Sequence, residues 1–279
     1  MPPAPPVALT IAGSDPSGGA GLQADLKTFH RFGAFGLAVP TLVTVQNTCG
    51  LRESHSLGPK LVLAQLECVQ EDIPAAAAKT GAFGEAGTVE AVADWVKDRE
   101  IPLVVDPVII STHGQRLASE SAVDAIRERL LPVCRLVTPN LAEAAALSGT
   151  AVDSLRGMGR AAERIGRLGA PNVLVKGGHL DAEPIDLLWA DGEVLTYSAV
   201  RVDTAGTHGT GCTYSAAITA LLALGEALPD AIATAKRFVT EAIRTAPRLG
   251  RGNRPLNHHA RAPGSSLKTL GASEDGRHA

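Results

Sequence analysis

Short apolar runs and helical stripes take turns along the whole chain. Residues 7–12 (VALTIA) form an apolar run that stops at GSDPSGGAG, which predicts a strand followed by a glycine-rich turn. The next segment, LQADLKTFHRFG, sets Leu22, Leu26 and Phe29 on one helical face and ends at Gly33. The same reading predicts strands at 37–45, 75–78, 103–108, 136–138 and 173–176. It predicts helices at 61–69, 88–96, 122–131, 141–147, 159–168, 213–224 and 230–246. Around Asp191 and Gly192, the runs IDLLWA and EVLTYSAV alternate as the arms of a β-hairpin do. Strands alternating with helices predict an α/β fold, with a mostly parallel central sheet, helices on both faces and a small hairpin.

No repeat or long linker interrupts the pattern, so residues 1–260 read as a single domain. The tail, 261–279, is small, polar and glycine-containing, and is expected to be disordered. A hydrophobic content of 45% and a charged content of 20% over 279 residues fit a soluble globular protein with a sizeable core. The net charge of −3 and a complement of five Phe, two Trp and two Tyr argue against a nucleic-acid surface. No apolar run approaches the ~20 residues of a membrane span. The start, MPPAPPVALTIAG, lacks the basic region of a signal peptide. Cys49, Cys68, Cys134 and Cys212 form no CxxC pair, which points to a reduced compartment rather than a zinc or disulfide framework. A cytoplasmic protein is expected.

In parallel α/β sheets, ligands sit beyond the carboxyl ends of the strands. Ser14, Asp15, Gln46, Asn47, Lys79, Asp106, Asn140 and the stretch from Lys176 to His179 all fall at such ends. Any one of them could be a solvated loop residue; their recurrence at one topological position predicts a shared cleft. Residues 204–224, TAGTHGTGCTYSAAITALLAL, lead from a glycine-rich loop straight into a helix. Free N–H groups and the helix dipole make such a start a site for anionic oxygen. Gly209 and Gly211 let the backbone approach a ligand without a Cβ in the way. The same field is expected to favour the thiolate of Cys212; the plainer alternative is a buried cysteine in a tight turn. No Walker motif is present, because no Lys-Ser or Lys-Thr follows Gly13 and Gly18. Gly157 and Gly159 mimic a dinucleotide fingerprint but follow a helix-like stretch, so that match reads as chance.

Seven segments lie in order within the stretch from residue 7 to about residue 259: ALTIAGSDPSGGAGLQADLKTF, LVTVQNTCG, AKTGAFG, VVDPVIISTHG, LVTPNLAEAAALSG, VLVKGGHL and THGTGCTYSAAI. Together they resemble the hydroxymethylpyrimidine/phosphomethylpyrimidine kinases of thiamine biosynthesis, members of the ribokinase-like superfamily. The resemblance implies that ATP phosphorylates 4-amino-5-hydroxymethyl-2-methylpyrimidine and then its monophosphate, giving the diphosphate. It implies that Gly13, Asp25 and Gln46 hold the pyrimidine. A glutamine amide can accept from the exocyclic amine while donating to the neighbouring ring nitrogen, as it does when reading adenine. Asn140 and Glu143 match the superfamily's NxxE element, expected to organise Mg²⁺ and its waters together with Asp106. Glu143 could equally be a first-turn carboxylate stabilised by its helix. Lys176 is expected to supply positive charge to the phosphates. Gly209, Thr210, Gly211 and Cys212 would form the anion hole, with Cys212 as the base where most of the superfamily has an aspartate. A homodimer is also implied.

The chain departs from the family pattern at Ala82-Phe83, where Met-Leu is common, and in RGNRPLNHH, where Asn253 and Arg254 intrude. His208, His258 and His259 are expected to have surface or packing roles. Three rival readings remain. A pyridoxal-type kinase of the same superfamily is the nearest. A cysteine-nucleophile hydrolase would need a histidine such as His208 turned toward Cys212. A non-catalytic nucleotide-binding module is the third.

Overall fold

The computed structural model describes residues 3–111, 114–178, 184–204 and 206–261. His179 and residues 262–279, where a disordered tail is expected, lie outside the described residues. The strands are β1 (Val7–Ser14), β2 (Phe35–Asn47), β3 (Gly50–Ser56), β4 (Ala77–Thr80), β5 (Leu103–Val105), β6 (Leu136–Val137), β7 (Asn172–Val175), β8 (Asp186–Ala190) and β9 (Glu193–Tyr197). They form one nine-stranded sheet in the order β3-β2-β1-β4-β5-β6-β7-β8-β9. From β2 through β7 neighbouring strands run parallel, and the two margins, β3 and the β8–β9 hairpin, are antiparallel. The hairpin turn at Asp191 and Gly192 has positive φ at both residues, 48° and 87°, as a tight two-residue turn between twisted strands requires.

The helices are α1 (Gly21–Arg31), α2 (Pro59–Asp72), α3 (Ala86–Lys97), α4 (Glu120–Ala125), α5 (Leu141–Ser148), α6 (Leu155–Arg167), α7 (Thr210–Ala223) and α8 (Leu228–Arg244). Helix α4 runs on through a π-helical turn, Ile126–Leu130. Alternation along β1 explains how two cores arise from one sheet. Leu9 and Ile11 pack with Leu66, Val92, Ile126, Leu147 and Ile165 beneath α2 to α6. Ala8, Val104, Leu136 and Leu174 face the other way, against Phe29, Ile218 and Phe238 of α1, α7 and α8. Phe32 and Phe238 meet edge to face at 5.0 Å, an arrangement worth about 0.5–1.5 kcal/mol beyond area burial. Burial of each Leu, Ile or Phe in these layers stabilises the fold by about 1.5–3 kcal/mol.

Two details differ from the sequence expectation. Strand β3 was not foreseen: it is an edge strand, GLRESHS, in which only Leu51 is buried, so it carries no apolar stripe. The strand expected at 103–108 stops at Val105, which puts Asp106 just past its carboxyl end, with its amide still donating to the Thr80 carbonyl at 3.4 Å. The glycine pair at 157 and 159 lies inside α6, so the apparent dinucleotide fingerprint opens no helix.

Candidate active site

Helix α7 starts at Gly209, whose φ of +81° suits glycine, and a Cβ there would collide with the Gly19 carbonyl. Among the described residues, no side-chain cap hydrogen bond closes this N-terminus, whose N-cap is Gly209 itself. A Cβ on Gly211 would lie 3.2 Å from Lys176 Nζ and 3.6 Å from Asp106 Oδ2, so the first turn of α7 looks onto that pair. Lys176 Nζ meets Asp106 Oδ1 at 3.1 Å, and Ser215 Oγ donates to Asp106 Oδ2 at 3.2 Å. Burial works against the Lys176 ammonium, but Asp106 and Glu143 outweigh it and hold its pKa above the ordinary lysine range. Burial raises Glu143; Lys176 opposes that shift and the Asp106 charge adds to it.

Asn140 and Glu143 form a capping box on α5. The Asn140 amide donates to Glu143 Oε2 at 2.9 Å, and the Glu143 amide donates to Asn140 Oδ1 at 2.9 Å. The helix-terminal role considered for Glu143 is therefore realised, and Asn140 Oδ1 is already engaged. Among the described residues, no group of three or more His, Cys, Asp or Glu could hold a metal by itself. Asp106 and Glu143 nevertheless place two carboxylates against one ammonium, leaving one negative charge in excess. That hard-oxygen set fits Mg²⁺, which keeps most of its waters and needs few protein ligands.

A second polar cluster lies under α1 and α7. Alternation along β1 and β4 turns Thr10 and Lys79 toward that face. Asp25 Oδ2 accepts from Thr10 Oγ1 at 2.6 Å and from Lys79 Nζ at 2.8 Å, and neither member of the ion pair is exposed. Burial raises Asp25 against the pull of Lys79. Burial also works against the Lys79 ammonium, yet Asp25, Cys212 and Asp106 hold it above its usual range. A carboxylate oxygen accepting from both neighbours at such distances is the ionised form. Asp25 Oδ1 is buried without a partner among the described residues.

Cys212 joins the two clusters. Its sulfur accepts from the Gly21 amide at the start of α1 and feels the Lys79 charge. The expectation of a favoured thiolate is corrected here: burial pushes the thiol up to about 12, and Asp25 and Asp106 add to the shift, outweighing Lys79 and the Gly21 amide.

Gly13 is buried at the end of β1, where a Cβ would press on Leu42. Gln46 is half-buried near the end of β2, and its side chain helps to hold the Asp15 carboxyl below the usual range. His208, expected in a surface or packing role, is 3% exposed, and its Nε2 pairs with Asp15 Oδ2 at 2.9 Å. Burial works against the Asp15 carboxylate, but His208, Gln46 and Ser17 hold its pKa well below the usual range. The sequence signal for this pairing was weak, since nothing local links residue 15 to residue 208. Phe83 is buried in the core under α2 to α6, whereas Ala82 lies beside Gly13. Asn253 ties two loops together: its amide donates to Thr48 O at 2.8 Å, and its Oδ1 accepts from Thr207 N at 3.3 Å.

The family profile for phosphomethylpyrimidine kinase matches residues 15–257. The chain is 45% identical over 258 residues to the hydroxymethylpyrimidine/phosphomethylpyrimidine kinase of Haemophilus influenzae, covering 90% of this chain and 96% of that protein. It is 44% identical over 254 residues to the enzyme of the same name from Streptomyces coelicolor, covering 91% and 94%. Among solved structures, an ADP complex of Bacillus subtilis pyridoxal kinase matches with a TM-score of 0.86 at 35% identity, covering 92% of this chain and 98% of that one. The phosphomethylpyrimidine kinase of Clostridium difficile 630 matches with a TM-score of 0.75 at 40% identity, covering 85% and 98%.

Proposed function

The chain belongs to the phosphomethylpyrimidine kinase family, with its ribokinase-like fold and its place in thiamine biosynthesis, and on that premise we propose how its residues work. The substrate is 4-amino-5-hydroxymethyl-2-methylpyrimidine, then its monophosphate, and ATP is the phosphoryl donor. The observation that carries this reading is the uncapped start of α7 facing Lys176 and Asp106, with Cys212 in the same turn.

Phosphoryl transfer requires positioning and charge stabilisation more than covalent chemistry. The first-turn amides of α7, from Gly209 to Cys212, and the Lys176 ammonium face the oxygens on which negative charge collects. Asp106 and Glu143, with Asn140 beside them, would hold Mg²⁺, and the ion would screen the phosphate charge. Gly13, Asp25 and Gln46 hold the pyrimidine. In the first round the hydroxyl O–H bond breaks, the new O–P bond forms, and ADP departs with its oxygen. The proton passes to the thiolate form of Cys212, the form that burial makes scarce at neutral pH. In the second round the attacking monophosphate has a second pKa of about 6 and is already mostly deprotonated at neutral pH.

The same reading carries a cytoplasmic homodimer. Among the described residues no helix is long and apolar enough to cross a membrane. A second reading, a kinase of vitamin B6 alcohols, is favoured by the likeness to the pyridoxal kinase of Bacillus subtilis. One assay separates them: the enzyme is mixed with Mg-ATP and each alcohol, and ADP is measured with the phosphorylated product. Turnover of the aminopyrimidine and its monophosphate supports the proposal; turnover of pyridoxal alone overturns it.

A further inference from the structure

Strand β7 delivers Lys176 to the phosphate side of the cleft, and part of what holds it there lies outside the site described above. The ladder between β7 and β8 ends where Val175 pairs with Leu187. Beyond that pair the buried backbone needs other partners. The Lys176 amide donates to the Pro139 carbonyl at 2.8 Å, within a parallel bridge between Lys176 and Asn140. The Gly177 amide donates to Asp186 Oδ1 at 3.0 Å, in a buried bond. These amides belong to the two peptide planes that flank the Lys176 Cα. Fixing both planes fixes the backbone dihedrals between them, and with these the direction in which the lysine side chain leaves. Gly177 also runs so close to the chain entering β8 that a Cβ on it would collide with the Ile185 carbonyl.

Asp186 is held in its turn. Lys236 Nζ of α8 meets Asp186 Oδ2 at 2.6 Å, and the two side chains are 12% and 3% exposed. A strut between β8 and α8 would account for that ion pair. It does not account for Oδ1, which is aimed at the Gly177 amide. An ionised acceptor makes such a bond about twice as strong as a neutral one. Lys236 offsets the cost of burying the charge. We propose that Asp186, braced by Lys236, is a positioning residue that aims the Lys176 ammonium at the phosphates. The relay runs from α8 through Asp186 and the Gly177 amide to Lys176, whose Nζ lies 3.1 Å from Asp106 Oδ1 before the first turn of α7. The ammonium ends a long flexible stem, so a tilt at the Cα grows toward Nζ. Misplacing a reacting or charge-stabilising group by about 1 Å costs about 10²-fold in rate.

This role rests on Lys176 as the cation that faces the phosphates, and the test keeps the two apart. Asp186→Leu with Lys236→Met removes both charges and the acceptor, an apolar exchange that is often near neutral for stability. Asp186→Asn with Lys236→Met removes both charges but keeps an oxygen for the Gly177 amide. The kcat and KM for ATP are measured in both double variants, each with and without Lys176→Met. Loss of activity in Lys176→Met alone upholds the phosphate-facing cation; unaltered activity overturns it, and the positioning role with it. Given that loss, kcat/KM for ATP in the apolar double variant should lie at least about tenfold below that of the amide double variant while Lys176 is present. In the Lys176→Met background the gap should shrink below about twofold. Equal values in the two double variants, or the same gap in both backgrounds, overturn the proposal and leave Asp186 a structural residue. Pyrimidine affinity without nucleotide, read by calorimetry, should stay at the wild-type value; a matching loss there marks general damage to the cleft and overturns the proposal as well. Should the apolar double variant fail to fold, Asp186→Ala with Lys236→Met takes its place under the same outcomes.

Discussion

Lys79 and Asp25 face each other at 2.8 Å with neither side chain exposed to solvent. The pair joins β4 to α1 beneath the first turn of α7, and Thr10 completes it. Taking one charge away leaves the other buried and uncompensated, which costs about 3–5 kcal/mol; replacing both with apolar groups is often near neutral. Lys79→Met should therefore lower the urea midpoint sharply, and Lys79→Met with Asp25→Leu should recover much of the loss. A double variant as unstable as the sum of the single changes would show that the charges do not act as a pair.

Gln46→Leu should weaken pyrimidine binding at least tenfold and leave ATP binding nearly unchanged. The expectation follows from the roughly 1–3 kcal/mol lost when a buried polar group is left without its partner. Calorimetric titration with each ligand separately provides the measurement. Equal losses for both ligands would point to damage of the fold.

Cys212→Ala preserves the amides of α7 and removes only the sulfur. General-base help is worth about 10²–10⁴-fold, so phosphorylation of the alcohol should fall by that order and phosphorylation of the monophosphate far less. Burial keeps the thiol near 12, so the thiolate fraction grows about tenfold per pH unit through the neutral and mildly alkaline range. The alcohol rate should rise with pH relative to the monophosphate rate in the wild type, and this relative rise should vanish in Cys212→Ala. If both rates drop by one common factor, Cys212 supports the loop and is not the base.

His258 is 8% exposed and pairs with Thr213 Oγ1 at 3.1 Å. Burial, with the Lys27 and His259 charges, holds its pKa at about 4, against 6.5 in a free chain. Between those values the unfolded chain takes up a proton that the folded chain refuses, so stability falls as pH drops from 6.5 to 4. The full interval corresponds to roughly 3 kcal/mol. Thermal unfolding of the wild type and His258→Gln across that window should show the slope flattened in the variant. Parallel slopes would remove His258 as the cause.

The parallel core was legible because strands such as 7–12 and 103–105 are apolar runs bounded by turns, and because α7 follows a loop of small residues. Strand β3 was not, since an edge strand can be held by backbone pairing alone and needs no apolar stripe. Lys79 stood out in sequence as a lone charge within AAAAKTGAF, but its partner Asp25 lies 54 positions away. Cys212 was readable as a helix-start residue; the neighbouring carboxylates and the packing that raise its thiol depend on tertiary contacts no local pattern encodes. The pairing of His208 with Asp15 is tertiary in the same way.

The bond between His208 and Asp15 spans 193 positions. One partner follows the first strand of the chain, and the other introduces the penultimate helix of the described residues. Strand β1 is already enclosed between β2 and β4 in the sheet's interior, yet the carboxylate beside it lacks a principal partner until α7 docks. Such long closures cost entropy before any contact repays it, which places completion of the site late in folding. During synthesis, a nascent chain that has emerged only as far as β9 has every strand of its sheet but not the first turn of α7. Residue 15 is thereby left waiting for residue 208 until all of the sheet and the start of α7 are in place.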